Sequence, residues 1–348
     1  MITETRVKID WGSLGFDVVK TKSMFKATCP IDGKWSEGSL VPYGTIQLSP
    51  AAGVLNYGQG VFEGTKAFRT VKGDVILFRP DRNAQRMAFS TKRLCIPEMD
   101  TEFFLDAVMK TVQDNIDYVP PYGKGSLYIR PIVWGTAPAL GVRPVSEYTF
   151  MIFVSPVGPY FKGGVKPLNL KVSTQFHRAA AKGIGNAKAI GNYSASLFPL
   201  MKAKSEGFDE VIYLDAIDGK RVEELGSANL FIYKEGVIRT PALSGSILEG
   251  VTRNSVCRIA SDILNIPVEE TDVDITDVLK AEEVFCTGTA VVVTPVGKIT
   301  YQGETTTING NQMGSVTEKI RQTILAIQRG EMNDPFGWIF PVNQIFKR

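Results

Sequence analysis

Histidine is almost missing from this chain: His177 is the only one in 348 residues. Most zinc sites, and any Ser-His or Cys-His nucleophile that needs its own base, are excluded on that ground. Enzymatic chemistry would fall to lysine or to carboxylates. Cysteine is scarce as well. Cys29, Cys95, Cys257 and Cys286 stand apart from one another, with neither the density of a disulfide scaffold nor a CxxC metal or redox spacing. They read as reduced thiols. Long runs of one charge are lacking, and the net charge of +3 is spread along the chain. No electrostatic footprint for nucleic acid or an anionic membrane results, so small-molecule partners are expected. No apolar stretch reaches membrane-spanning length. The opening MITETRVKIDWGSLGFDVVK carries acids and no apolar core, unlike a signal or transit sequence. A cytoplasmic protein is expected.

What the chain does have is enough apolar material for two cores: 44% of its residues are hydrophobic, and its length exceeds that at which a single core usually stops growing. SLYIRPIVWG and YTFMIFVSPV alternate as strands do, and DRNAQRMAFSTKRL and TEFFLDAVMKTVQDNIDYV before them have helical periodicity, with Thr101 as N-cap of the second. Strands and helices without regular βαβ alternation point to an α+β fold. The Gly- and Pro-rich stretch 158–167 is the expected linker, between a smaller domain over 1–157 and a larger one over 168–348. In the second half, LNLKVSTQF and DEVIYLDA read as strands, ELGSANLFIY and VIRTPA as a pair of strands, and Tyr193 to Ser205 and TRNSVCRIASDIL as helices.

Several phrases carry possible chemistry. Lys188, in NAKAIGNYSAS, enters a structured element among small and apolar residues, where an amine is hard to solvate and can serve as a Schiff-base nucleophile. A surface lysine would have the same neighbours. Gly250, Val251 and Thr252 open a helix, whose free N–H groups and positive dipole end suit a phosphate, although every helix has such an end. Thr287, Gly288 and Thr289 interrupt an apolar strand with a hydroxyl-rich turn able to face an oxyanion, or with a simple β-bulge. Glu223 and Glu224 adjoin a strand whose alternation turns one of them inward, where it needs a cationic or proton-donating partner. Arg130, in SLYIRP, needs an anion if its head is buried. Glycines around Tyr57 and Phe62 let backbone pass close to a neighbour.

Taken in order, LNYGQGVFEG, FRP followed by QRM, SLYIRP, the K-x-x-G-N-Y of Lys188, the E-x-G-x-x-N of Glu224 and the F-x-x-G-T-A of Phe285 resemble the successive blocks of the branched-chain amino acid aminotransferases, fold-type IV pyridoxal-phosphate enzymes. The likeness runs from about Asp10 to Val342. It implies two α/β-type domains with pyridoxal 5'-phosphate between them, and amino-group transfer between leucine, isoleucine or valine and 2-oxoglutarate.

By that resemblance, Lys188 holds the cofactor as a Schiff base and shuttles the proton. Tyr193 bonds the cofactor's phenolic oxygen, and Glu224 faces its ring nitrogen. Arg86, Val251, Thr252 and Thr289 hold the phosphate. Arg178, Ser227, Leu248, Gly250, Thr287 and Gly288 complete the cofactor's surroundings. The substrate α-carboxylate is expected near Thr289 and Ala290, and the side-chain pocket among Phe16, Phe62, Tyr128 and Ser227. Arg130 would take the distal carboxylate of glutamate or 2-oxoglutarate. Tyr57 and the loop with Leu140 and Val142 would reach across from the partner in a homodimer.

The chain departs from the resemblance at Glu249, where proline is common, and the Glu249 carboxylate is expected to turn away from the phosphate. Val291 and Thr294 replace a CxxC pair of some members, so no redox switch is expected there. Trp134, after the YIRP strand, reads as core of the first domain, with a place narrowing the pocket as the other reading. Neighbouring readings are a D-amino acid aminotransferase, an aminodeoxychorismate lyase, or a silent cofactor-binding homologue.

Overall fold

The computed structural model describes residues 9–158 and 164–342, so half of the expected linker, 159–163, lies outside the described residues. In the first half the chain forms β1 (Ser23–Pro30), β2 (Ser39–Pro42), α1 (Gly53–Tyr57), β3 (Gly60–Phe62), β4 (Thr65–Arg69), β5 (Val75–Phe78), α2 (Pro80–Arg93), α3 (Thr101–Asp114), β6 (Ser126–Gly135) and β7 (Glu147–Val157). The second half adds β8 (Leu168–Ser173), α4 (Ile190–Ala195), α5 (Leu197–Ser205), β9 (Glu210–Leu214), β10 (Val222–Leu225), β11 (Asn229–Lys234) and β12 (Val237–Pro241). It ends with α6 (Val251–Arg258), β13 (Val268–Thr271), α7 (Ile275–Leu279), β14 (Glu283–Gly288), β15 (Val292–Tyr301), β16 (Glu304–Thr307), α8 (Ser315–Gln328) and β17 (Ile339–Pro341).

Two sheets organise these elements. The first runs β17-β5-β4-β6-β7-β1-β2, with β3 also paired to β6, and all its pairings are antiparallel. Its spine is the long register from Ser126↔Val157 to Gly135↔Tyr148, made possible by the apolar alternation of both strands. The second runs β10-β9-β8-β15-β14-β11-β12-β13 with β16 beside β15, and mixes parallel with antiparallel pairs. The C-terminal strand β17, expected in the second domain, pairs with β5 of the first sheet through Ile339↔Phe78.

Helix α3 and the first sheet enclose one core, with Phe104, Val108 and Val112 against Phe25, Phe150 and Leu127. A second core lies within the larger sheet, around Leu170, Ile212, Leu230 and Val284. A third joins the halves: Phe68, Ile76 and Phe78 of the first sheet pack with Phe231, Phe285, Ile320 and Trp338. Trp134 is buried with Met24 and Met151, as its core reading requires.

Local boundaries follow identifiable contacts. The N-cap of α3 is Asp100 rather than Thr101: its carboxylate accepts from the amides of Glu102 at 2.6 Å and Phe103 at 3.3 Å. The helix expected from Tyr193 begins earlier, at Ile190, and is divided at Ser196.

Candidate active site

The site is assembled where the first sheet meets the segment carrying Lys188. That segment docks on β3: the Phe62 amide donates to the Lys188 carbonyl at 3.1 Å, and Val61 forms a bridge with Ala189. Gly60 makes the docking possible, because a Cβ there would lie 3.1 Å from both Ile190 Cδ1 and the Val133 carbonyl. The Lys188 amide also donates to Ser90 Oγ at 2.9 Å. Ala187 and Ala189 are buried on either side, while the lysine side chain itself is half-exposed. Its Nζ donates to the Tyr193 hydroxyl at 2.9 Å and lies 4.7 Å from the centre of the Phe62 ring.

From Phe62 the aromatic wall continues. Tyr193 meets Phe62 edge-on at 4.7 Å, and Phe16 meets Tyr128 edge-on at 5.2 Å. The Arg130 guanidinium lies over Phe62 at 4.8 Å and Tyr128 at 5.2 Å, and donates to the Tyr128 hydroxyl at 3.1 Å. Its Nε is buried without a partner, and among the described residues no carboxylate answers it. Gly64 is required here too: a Cβ would fall 2.3 Å from the Tyr128 hydroxyl oxygen. Phe16, Phe62, Tyr128, Arg130, Lys188 and Tyr193 are thus brought together as expected.

Glu224 occupies a different wall. Both acids of the pair are buried, not one, but only Glu224 is fully embraced. Its Oε1 pairs with Arg178 Nη2 at 2.6 Å and accepts the Leu248 amide at 3.0 Å, and its Oε2 accepts Asn229 Nδ2 at 3.1 Å. Burial outweighs Arg178 and pushes this carboxyl up to about 7. Arg178 is itself held by the carbonyls of Gly185 at 3.0 Å and Ser246 at 2.5 Å. Glu223 accepts from Ser246 Oγ, and its other oxygen has no partner among the described residues.

The expected phosphate seat is formed by Gly250 as N-cap of α6, followed by Val251 and Thr252. A Cβ on Gly250 would lie 2.1 Å from Asn229 Oδ1, so only glycine lets the helix start approach β11. Thr252, Gly288 and Thr289 line one small cavity with Val251, Thr65 and Asn83. Thr289 Oγ1 donates to the Gly64 carbonyl at 3.1 Å. A second cavity of about 360 Å³ opens beside the same helix start, lined by Arg86, Asn186, Glu249, Gly250 and Val251 among others.

Arg86 reaches this place, but its guanidinium is already engaged. It makes a two-point pair with buried Glu63, at 2.7 and 2.8 Å, and donates to the Glu249 carbonyl at 2.9 Å. The Glu63 carboxylate outweighs burial and raises the Arg86 guanidinium above its usual value. The Glu249 carboxylate turns outward to Arg82 at 2.9 Å, as expected of it. Ser227 is exposed in the tight turn between β10 and β11. Tyr57 donates to the Leu140 carbonyl, and Leu140 and Val142 are 91% and 86% exposed. Among the described residues neither Tyr57 nor that loop has a hydrogen bond or ring contact to the residues around Lys188.

The profile of the amino-transferase class IV family matches residues 60–299, spanning every part of this geometry except Phe16 and Tyr57. The chain is 46% identical over 331 residues to branched-chain-amino-acid aminotransferase 5, chloroplastic, of Arabidopsis thaliana, covering 95% of this chain and 80% of that protein. The chain belongs to the branched-chain aminotransferases of class IV. A mitochondrial relative from Humulus lupulus, branched-chain amino acid aminotransferase 1, is 47% identical over 336 residues, 96% of this chain and 85% of its own. The branched-chain amino acid aminotransferase of Escherichia coli superposes with a TM-score of 0.81 at 29% identity, over 93% of this chain and all of that one. The T.th. branched-chain amino acid aminotransferase, solved with pyridoxamine 5'-phosphate, gives 0.79 at 31% identity, with 93% and 100% covered. The aminotransferase is therefore a pyridoxal-phosphate-dependent transaminase with the fold-type IV architecture.

The residues present fit that cofactor. Glu224 is a buried carboxyl poised to share a proton with a ring nitrogen. Thr287 Oγ1 is buried beside the seat without a partner among the described residues, and Gly250 leaves the cradle open for an anion at the amides of Val251 and Thr252. Sequence reasoning missed Glu63, Asn83, Asn229 and Lys66. Asn229 was visible as the last letter of E-x-G-x-x-N. Glu63 follows Phe62 directly and Lys66 stands four residues after it, but nothing local says that one pairs with Arg86 and that the other donates to the Ala290 carbonyl at 3.1 Å.

Proposed function

We propose that this aminotransferase exchanges the amino group of leucine, isoleucine or valine with 2-oxoglutarate, working from Lys188. The observation that carries this reading is the wall of Phe16, Phe62 and Tyr128 beside the Lys188 amine, crossed by an Arg130 that has no carboxylate partner among the described residues. One surface thus offers apolar contact for a branched side chain and a guanidinium for the distal carboxylate of glutamate. Transamination demands both uses of one pocket.

Bound pyridoxal phosphate supplies the electron sink that makes the substrate α-proton removable. Lys188 Nζ takes that proton and returns it, held in place by Tyr193 at 2.9 Å. Glu224, fixed by Arg178 and Asn229, holds a proton at the cofactor's ring nitrogen. Val251, Thr252, Thr289 and Arg86 form the phosphate seat, with Thr287, Gly288, Leu248 and Ser227 around it. The amides of Thr289 and Ala290 receive the α-carboxylate. Tyr57, Leu140 and Val142 serve the pocket of a second subunit, which accounts for two large apolar side chains standing almost fully in solvent. A homodimer, with domains over 1–157 and 168–348 joined through 158–167, is part of this proposal.

Methionine is a second substrate to weigh, because a methionine aminotransferase of Arabidopsis thaliana is 41% identical over 343 residues. One methylene in an apolar pocket changes selectivity by only about 1–3 kcal/mol. Steady-state comparison of leucine, isoleucine, valine, methionine and D-alanine with 2-oxoglutarate tests the proposal. Higher kcat/KM on the three branched substrates supports it, and turnover of D-alanine alone defeats it. The cytoplasmic assignment rests on unpaired Cys29, Cys95, Cys257 and Cys286. Cell fractionation tests it, since relatives carry chloroplastic and mitochondrial names.

A further inference from the structure

A cavity of about 260 Å³ shares only Ala290 with the residues assigned to the substrate. Its charged lining is Lys66 and Arg69 of β4, Arg321 of α8, and Arg329 just beyond that helix. Among the described residues, no aspartate or glutamate lines it.

The partners of these cations sharpen the imbalance. Lys66 is only 9% exposed, and among the described residues its hydrogen bond goes to the Ala290 carbonyl at 3.1 Å alone, which leaves two of its donors without a partner there. Arg69 donates to the carbonyls of Gly73 and Ile116, and Arg321 to that of Val293 at 2.7 Å. Among the described residues only Arg329 has a carboxylate, Glu331, at a loose 3.8 Å. Carbonyl dipoles satisfy donors but do not cancel net charge. Lys66 is the buried member, and Arg69, Arg321 and Arg329 are part-exposed around it. A buried ammonium with like charges nearby and no counter-ion among the described residues is costly, and an oxyanion offering several acceptors reduces that cost.

We propose that this cavity binds a small oxyanion, a phosphate or a short carboxylate, and that its occupancy tunes substrate affinity through the Lys66–Ala290 bond. The second part rests on the reading of Ala290 as a substrate-carboxylate donor. Burial, with Arg321 nearby, pushes the Lys66 ammonium down to about 7, and an anion opposes both causes. An occupied cavity therefore holds Lys66 charged and its bond to the Ala290 carbonyl strong, fixing the turn whose amide faces the substrate. An empty one loosens it. KM should respond and kcat should not.

Calorimetric titration of the holoenzyme, whose phosphate seat is already filled, with inorganic phosphate and separately with acetate at constant ionic strength tests the site. One anion per chain is expected, with affinity at least about tenfold weaker in Arg321→Gln and Lys66→Met, preserved in Arg321→Lys, and unchanged in Arg82→Gln beside the other cavity. Tighter binding of phosphate or of acetate then assigns the source. Phosphate should also shift the KM for leucine in the parent and not in Arg321→Gln, whose thermal melt verifies folding. Absence of binding, equal binding in all variants, or loss confined to Arg82→Gln overturns the proposal. Leucine turnover without anion binding defeats the cavity and leaves the transaminase reading intact; anion binding without turnover of any amino acid does the reverse.

Discussion

Lys188, just before the N-cap of α4, and Tyr193 within that helix are joined amine to hydroxyl at 2.9 Å. The phenol fixes the amine over the face of the Phe62 ring and leaves its remaining donors toward the pocket. Lys188→Ala is therefore expected to abolish the visible absorbance of the bound cofactor and to lower leucine turnover by at least the roughly 10²–10⁴-fold of lost acid–base catalysis. Tyr193→Phe should keep the absorbance band but shift it. An alanine variant with full turnover would place the chemistry elsewhere.

Glu224 gives a pH signature. Its carboxyl is held at about 7, above its ordinary 4.5, so the buried neutral form stabilises the fold below the ordinary value, and that contribution is lost as pH rises through about 7. With cofactor removed, the protein should lose on the order of 3 kcal/mol of unfolding free energy between pH 4.5 and 7.5 through this group. Glu224→Gln should flatten the profile over that window. Urea titrations of both apoproteins measure it, and parallel profiles would contradict the assignment.

Glu63 is buried completely and has Arg86 and Asn83 as partners. Glu63→Gln leaves a guanidinium buried without its counter-charge, which costs about 3–5 kcal/mol. Denaturant midpoints should fall accordingly. Cofactor affinity should fall too, since Arg86 would no longer be held beside the Glu249 carbonyl.

Glu283 caps α8 from a neighbouring strand: its carboxylate accepts the amides of Val316 at 3.0 Å and Thr317 at 2.8 Å, and the Thr317 hydroxyl at 2.7 Å. Glu283→Gln should cost roughly 1–3 kcal/mol of stability, with leucine turnover per folded molecule unchanged. Loss of turnover in the folded variant would mean that α8 has a part in the chemistry.

Glu249 tests the outward turn of its carboxylate. Its side chain is half-exposed and paired with Arg82. Removing an exposed pair is worth roughly 0–1 kcal/mol, so Glu249→Gln should leave cofactor affinity nearly unchanged. A clear rise in affinity would show the carboxylate facing the phosphate instead.

How much of this was visible in the sequence depends on the range of the interaction. Strands β6 and β7 and helix α2 coincide with their patterns to within a residue, because each carries a long periodic face buried by its own repetition. The cap of α3 was misplaced by one because Asp100 and Thr101 are both good caps, and only geometry chooses between them. The Lys188, Tyr193 and Glu224 blocks were legible as motifs. The pairing of Arg86 with Glu63, and of Lys66 with Ala290 more than two hundred residues away, was not: each needs the sheets in place before either partner is defined. The return of β17 to β5 is of the same kind.

That return adds a second backbone tie between the halves, beside the chain between β7 and β8 and the shared core of Phe68, Phe231 and Trp338: the pairing of Ile339, Phe340 and Pro341 with Phe78, Leu77 and Ile76. A single proteolytic cut near Lys166 would thus yield two fragments that still co-purify. A chain ending at Gln328 would instead bare the outer rim of β5, a row of unsatisfied amides and carbonyls inviting any stray strand.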